Sequence, residues 1–389
     1  MMAVAMCGLA GPARAETWAI TPTLTLQSGV SDNVRLREED TDLTVQGSAA
    51  VGAMVERVTE IFQLRATGTA GYTAYGGDPN APDDGDFQTL QGELGYQRER
   101  SVWRLTGTFF RDLGIVDAAV PENRIDPGAD IDPATLEETV RRYRASLSPS
   151  FTRALTERLT AGAGYTVSYL SYDDPALEDS SSLNHELELR SDWAYDERTV
   201  VGIAAIGGLF RPEDEDRGFN TYGVLGEMEY QWSERSSVVL SAGMRWSNPA
   251  VDDDAESESG FLGGIEATTE GENWELSASL DRRLRPSARG VLKETDQLLL
   301  SGTRELSPRF SAELTGRVFT TRTVGRGESG TEDYASITPG ISYRLTEEWS
   351  LTAEYQFQAI ERTGADERAE DNAVFLRLDY EPLRERPGF

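Results

Sequence analysis

One histidine, two serines just before it, and a long series of arginines and carboxylates are the residues of this chain equipped to do chemistry. His185 with Ser181 and Ser182 has the makings of a Ser–His hydrolytic pair. A sole histidine excludes multi-histidine catalysis and His-rich metal sites, and a lone histidine of this kind is ordinarily incidental. Carboxylates occur almost everywhere, so no two stand apart as a glycosidase pair. The acidic runs Glu213-Asp214-Glu215-Asp216 and Asp252-Asp253-Asp254 offer hard oxygen ligands, but neither has a calcium-loop spacing or a glycine placed to wrap an ion. The residue types therefore point away from an enzyme, and to no catalytic residue, metal or cofactor. What remains is chemistry without turnover: charges that line a surface and select what passes it.

The spacing of those charges names the surface. In Trp349-Ser350-Leu351-Thr352-Ala353-Glu354-Tyr355-Gln356-Phe357-Gln358 apolar and polar residues alternate strictly, the period of a strand with one oily and one wet face. Eighteen such segments follow one another. Parity puts Arg65, Glu93, Arg104, Arg142, Arg144, Glu188, Arg190, Glu227 and Glu229 on the wet face. It adds Arg245, Glu275, Asp281, Glu313, Arg317, Glu354 and Arg377. Asp112, Glu186 and Asp379 share that parity. Closed on itself with the oily face outward, such a sheet is an all-β, transmembrane antiparallel up-and-down barrel of about eighteen strands, with water inside. The wet face would then line the lumen and set its selectivity.

Composition agrees with that solvent. Hydrophobic residues make up only 38 % of 389 residues and the mean hydropathy is −0.46, but a spanning strand needs an apolar residue only at every second position. The tryptophans Trp103, Trp193, Trp232, Trp246, Trp274 and Trp349 fall on the oily parity near segment ends, the pattern of an interfacial girdle. Eight tight turns are expected, at Glu56-Arg57-Val58, Arg98-Glu99-Arg100, Thr156-Glu157-Arg158, Asp196-Glu197-Arg198, Ser233-Glu234-Arg235, Gly271-Glu272-Asn273, Ser307-Pro308-Arg309 and Thr346-Glu347-Glu348. Nine longer acidic, Pro- and Gly-rich loops alternate with them, which makes the strand number even and both termini periplasmic. Residues 1–15 read as an export signal ending in Ala13-Arg14-Ala15, with residues 16–389 a single barrel domain; the only cysteine, Cys7, lies in the signal. A net charge of −30 makes nucleic acid a poor partner. The partners implied are outer-membrane lipid and lipopolysaccharide. A hydrophilic-solute channel is the leading expectation; a structural or adhesive barrel acting through its acidic loops is the alternative.

The first segment, Gln27-Ser28-Gly29-Val30-Ser31-Asp32-Asn33-Val34, resembles the opening of the outer-membrane β-barrel porin family often found beside exopolysaccharide operons. There an apolar strand runs into a glycine and an Asp-Asn pair. The Thr346-Glu347-Glu348-Trp349 turn and the alternating last segment through Val374, Leu376, Leu378 and Tyr380 are similar too. The resemblance implies an integral outer-membrane porin delivered by barrel-assembly machinery. Some relatives are thought to pass secreted polysaccharide, which implies periplasmic polysaccharide-export proteins as partners. No catalytic residue carries over.

Overall fold

A computed structural model describes residues 18–36, 43–77, 81–113, 141–173, 181–213, 218–249, 257–286, 292–324, 331–363 and 367–382. The expected signal segment and most loop residues, including 114–140 and the runs Asp214–Asp216 and Asp252–Asp254, lie outside the described residues. The first nine strands are β1 (Trp18–Ser31), β2 (Thr44–Val58), β3 (Phe62–Gly76), β4 (Gly85–Arg98), β5 (Ser101–Leu113), β6 (Arg141–Ala154), β7 (Leu159–Tyr172), β8 (Ser182–Ala194) and β9 (Thr199–Pro212). The second nine are β10 (Phe219–Ser233), β11 (Ser236–Pro249), β12 (Glu258–Glu270), β13 (Trp274–Pro286), β14 (Leu292–Ser307), β15 (Phe310–Val324), β16 (Thr331–Arg344), β17 (Trp349–Thr363) and β18 (Glu367–Tyr380). Each pairs antiparallel with its neighbours in sequence, and β1 pairs with β18, so the sheet closes with no free edge.

Tight turns form where a short side chain caps the reversal. Thr156 Oγ1 accepts from the N–H groups of Arg158 and Leu159 at 3.2 and 2.9 Å. Ser307 and Thr346 accept in the same way from Arg309 and Phe310 and from Glu348 and Trp349. Asp196 Oδ1 accepts from Arg198 N–H at 2.8 Å. These are side-chain mimics of a backbone turn. The same rule corrects the first turn. β2 continues through the expected Glu56-Arg57-Val58 turn, with Glu56 opposite Arg65, and the chain reverses at Thr59, Glu60 and Ile61. Thr59 Oγ1 receives the N–H of Phe62 at 3.0 Å there; the hydroxyl, not the charged pair before it, sets the position.

The segment Gly29–Asn33 adds contacts to the ladder that closes the barrel, which pairs Leu24–Ser31 of β1 with β18. Asp32 receives both the backbone N–H and the side-chain amide of Asn372, at 2.7 and 3.0 Å. Asn33 donates its N–H to Asp371 and its side-chain amide to the Glu370 carbonyl, at 3.1 and 3.0 Å. Gly29 faces Phe375 so closely that its ring occupies the space a Cβ would need. The Gly-x-x-Asp-Asn run is thus one of the stitches between the first and last strands.

Strands of 13 to 16 residues exceed the ~9–11 that span a bilayer. The surplus lies at the loop end, where the outer face turns from apolar to ion-paired: Arg141 meets Asp86 at 2.8 Å, Arg111 meets the same carboxylate, and Arg282 meets Asp296 at 2.5 Å. Below that rim the outer face is an apolar belt, with Leu26, Val51, Ile203, Leu276, Leu300 and Ile341 exposed.

Candidate functional site: the inner wall

The inner face identifies itself by reach. Arg245 on β11 approaches Glu186 on β8 to 3.7 Å, although three inter-strand spacings, roughly 14 Å on a flat sheet, separate their backbones. A concave face shortens that gap. Arg190 on β8 likewise meets Glu227 on β10, and Lys293 on β14 meets Glu332 on β16 at 2.6 Å. The strand between gives way in the first two cases. β9 presents Gly202 and Gly208 inward, and a Cβ at either would collide with Asp192 or with Thr221.

Pairing register carries that face around the barrel. Arg65 stands opposite Glu93, and Arg104 is 3.0 Å from Glu93. Arg142 and Arg144 both hold Asp112, at 2.6 and 3.2 Å. Glu188 and Arg190 share the face with Glu227 and Glu229 on β10, across β9. Arg245, Glu275 and Asp281 follow on β11 and β13. Glu313 and Arg317 lie on β15, and Arg377 is 2.9 Å from Glu354 and 3.0 Å from Asp379. The sixteen residues thus form several separate clusters on one wall, not one ring. Burial varies along this face. Toward the turns the Arg104 and Glu93 side chains are 47 % and 48 % exposed, whereas Thr352 and Arg377, also toward the turns, retain 1 % and 8 %. Toward the loops Arg142 and Asp371 retain 6 % and 4 %.

Part of the inner face is apolar, which parity alone did not suggest. After β1 the chain carries Leu36, in a left-handed conformation (φ 48°), into a buried cluster with Phe319, Tyr334, Ile360 and Ala369. Those four residues sit on the inner face of β15 to β18, so the segment Asp32–Leu36 leans into the barrel mouth. The sequence signal was present as apolar residues at inward parity near strand ends.

The outer wall has its own sites. Trp103, Trp193, Trp232, Trp274 and Trp349 stand at the turn end, where Trp18 joins them, and Trp246 stands near the loops. Trp103 packs on Phe151 with centroids 4.2 Å apart, Trp349 on Tyr380 at 4.9 Å and Trp246 on Tyr222 at 5.6 Å. His185 also points outward, its Nδ1 2.6 Å from the Tyr165 hydroxyl. Ser182 faces the opposite side, and the Ser181 hydroxyl donates to Ser171 at 3.5 Å, so the serines and the histidine do not form a pair. Among the described residues no group of three or more His, Cys, Asp or Glu is placed to hold a metal ion.

No family model matches the sequence, and no curated protein is significantly similar to it. Solved structures do share its shape. The outer membrane protein OpdK from Pseudomonas aeruginosa superposes with a TM-score of 0.51 at 8 % identity, over 94 % of this chain and 99 % of its own. OccK2 (OpdF), also from Pseudomonas aeruginosa, follows at 0.49 and 10 % identity, over 94 % and 98 %, too distant to add weight. Identity this low speaks for fold alone. Together with the apolar belt and the closed sheet, that fold makes the chain a transmembrane β-barrel.

Proposed function

We propose that the protein is a passive outer-membrane channel for hydrophilic solutes, narrowed at its loop end by the Asp32–Leu36 segment. One observation carries this reading: the Arg104–Glu93 pair inside a closed sheet with both side chains about half exposed. Charges enclosed by lipid keep that hydration only if water fills the space around them. The inward arginines and carboxylates, from Arg65 and Glu93 to Glu354 and Arg377, would set size and charge selectivity. In its finer form the channel is a conduit for exported polysaccharide, a reading supported by the resemblance of the Gly29–Asn33 run to the exopolysaccharide-associated porin family. It then has its turns and both termini in the periplasm, an export signal at residues 1–15, and periplasmic export proteins, lipopolysaccharide and the barrel-assembly machinery as partners. The buried Leu36 cluster favours a second reading, a closed structural or adhesive barrel that works through its acidic loops. Conductance of the refolded protein in a planar bilayer decides between them. A large steady current supports the channel, and its block by a neutral oligosaccharide supports the conduit. A correctly inserted but silent barrel overturns the channel and leaves the structural reading.

A further inference from the structure

Across β1 to β4 the inner wall carries charge only near the turns, at Glu56, Arg65 and Glu93. Toward the loops it is built of hydroxyls, amides and glycine. In register, Gly29 stands opposite Gln46, and Gln27 opposite Ser48, so the two glutamines are diagonal neighbours on one face. Gln27 is 5 % exposed and Gln46 6 %. Neither Nε2 nor Oε1 of Gln27, nor Nε2 of Gln46, has a hydrogen-bond partner among the described residues. A buried amide is a free-energy cost unless something supplies its bonds. A phenyl ring lies on either side: Phe375 against Gly29, and Phe87 against Gly71, two strands away. Ring cover of a strand glycine is structural by itself; two unpartnered amides set between the rings are not explained by it.

The chemistry of the strip selects its ligand. An amide donates and accepts at once, and so does a hydroxyl. The cation opposite Gln27, Arg377, is already held by Glu354 and Asp379 at 2.9 and 3.0 Å, so an anion finds no uncompensated charge. The carboxylates beside the strip, Asp371 and Asp379 on β18, are already engaged by Ser31 and Asn33 and by Thr25 and Arg377, and a denser group lies on the far arc, β8 to β13. A neutral polyhydroxylated molecule fits both features, with hydroxyls for the amides and apolar C–H faces for the rings. We propose that the β1–β2 inner wall between Phe375 and Phe87 is a saccharide-binding strip. It deepens the conduit reading and depends on the channel only for access.

The test uses the full-length barrel and maltohexaose as a neutral probe. Maltohexaose is expected to interrupt the wild-type current and to bind the detergent-solubilised barrel in calorimetry. Gln27→Leu and Gln46→Leu should each weaken binding about fivefold, the loss of roughly one hydrogen bond, and neither changes a charge. Because each replacement removes an unpaired amide, the urea midpoint of the empty barrel should hold or rise. If a leucine variant fails to fold, Gln27→Asn, which shortens the amide's reach, should show the same loss. Binding unchanged in the variants overturns the strip, and so does a wild type that conducts but neither binds nor is blocked; the channel survives both results. A silent barrel that binds maltohexaose, and loses it in the variants, overturns the channel and keeps the strip.

Discussion

The two sides of the lumen solve the same problem differently. On β1 to β4 the inward positions above the turns are uncharged and include Thr21, Thr23, Thr25, Gln27, Ser48, Thr67, Thr69 and Thr73. On β8 to β13 they include Glu186, Glu188, Asp192, Glu227, Glu229, Glu266, Glu275 and Asp281, which outnumber the arginines Arg190, Arg245 and Arg283. Either composition makes an inner wall polar. The neutral wall is held by close fit, with rings lying against Gly29 and Gly71. The acidic arc is held by bridges, with arginines reaching over β9 through the space its glycines leave. Steric changes should therefore damage the first wall and charge changes the second.

The largest effect expected is at the fit. Gly29→Val would drive a side chain into the Phe375 ring and the Val374 carbonyl, at the strand pair that closes the barrel. Overpacking costs of this kind run to about 3 kcal/mol, and the backbone carbonyl cannot move aside as a side chain would. A urea titration in micelles should show a clearly lower midpoint. Gly47→Val, on the adjacent strand where a Cβ meets nothing within 4 Å, should leave the midpoint nearly unchanged; equal losses at both sites would dissolve the steric half of the comparison.

Next is the bridge. Arg190 holds Asp192 at 2.7 Å and also Glu227, with Glu188 on the same strand face. Arg190→Ala leaves these carboxylates facing one another. Removing one partner of a buried pair costs ~3–5 kcal/mol; a side chain 24 % exposed should lose less, about 2 kcal/mol. The loss should shrink as salt is raised, since screening weakens the repulsion left behind, whereas the Gly29→Val loss should not respond. A salt-independent Arg190→Ala would mean that the arc, too, is held by fit.

Selectivity separates the walls more gently. Glu275 is exposed at the turn end of the arc, so Glu275→Lys can change the field without disturbing a buried bridge. The reversal potential in a salt gradient should move toward anion preference. Thr67→Lys on the neutral wall changes one unit of charge instead of two and should move it about half as far, by the same Coulomb argument. A static reversal potential in Glu275→Lys would place the arc outside the conducting path.

Much of this contrast was legible in the sequence. Period-two parity gave strand number, wet face and tryptophan face, because one register slip would drive charges such as Arg245 into lipid. It could not give which wet residues meet. Arg245 and Glu186 are 59 positions apart, and closure and curvature bring them within 3.7 Å. The neutral wall was visible in Thr21, Thr23, Thr25 and Gln27, but an absence of charge draws less notice than its presence. The first turn was misplaced by three residues because a Glu-Arg pair resembles the other turns, while the reversal obeys the Thr59 hydroxyl.

The smallest effect expected lies in the turns beneath the two walls. The neutral wall's β2–β3 turn is capped by the Thr59 hydroxyl, and the acidic arc's β8–β9 turn by the Asp196 carboxylate. Asp196 lies below the ordinary aspartate range, chiefly because it accepts the Arg198 backbone N–H, and then because of Thr199. A carboxyl whose folded pKa is depressed adds stability above its unfolded pKa and loses that contribution as pH falls through the folded value. Acid should therefore loosen the Asp196 turn and leave the Thr59 turn alone, since a hydroxyl does not titrate there. After correction for intrinsic rates, amide exchange at Arg198 should quicken on acidification relative to Phe62, and Asp196→Ser should abolish the difference. If Phe62 quickens equally, the acid response belongs to the barrel as a whole and the two turns are equivalent.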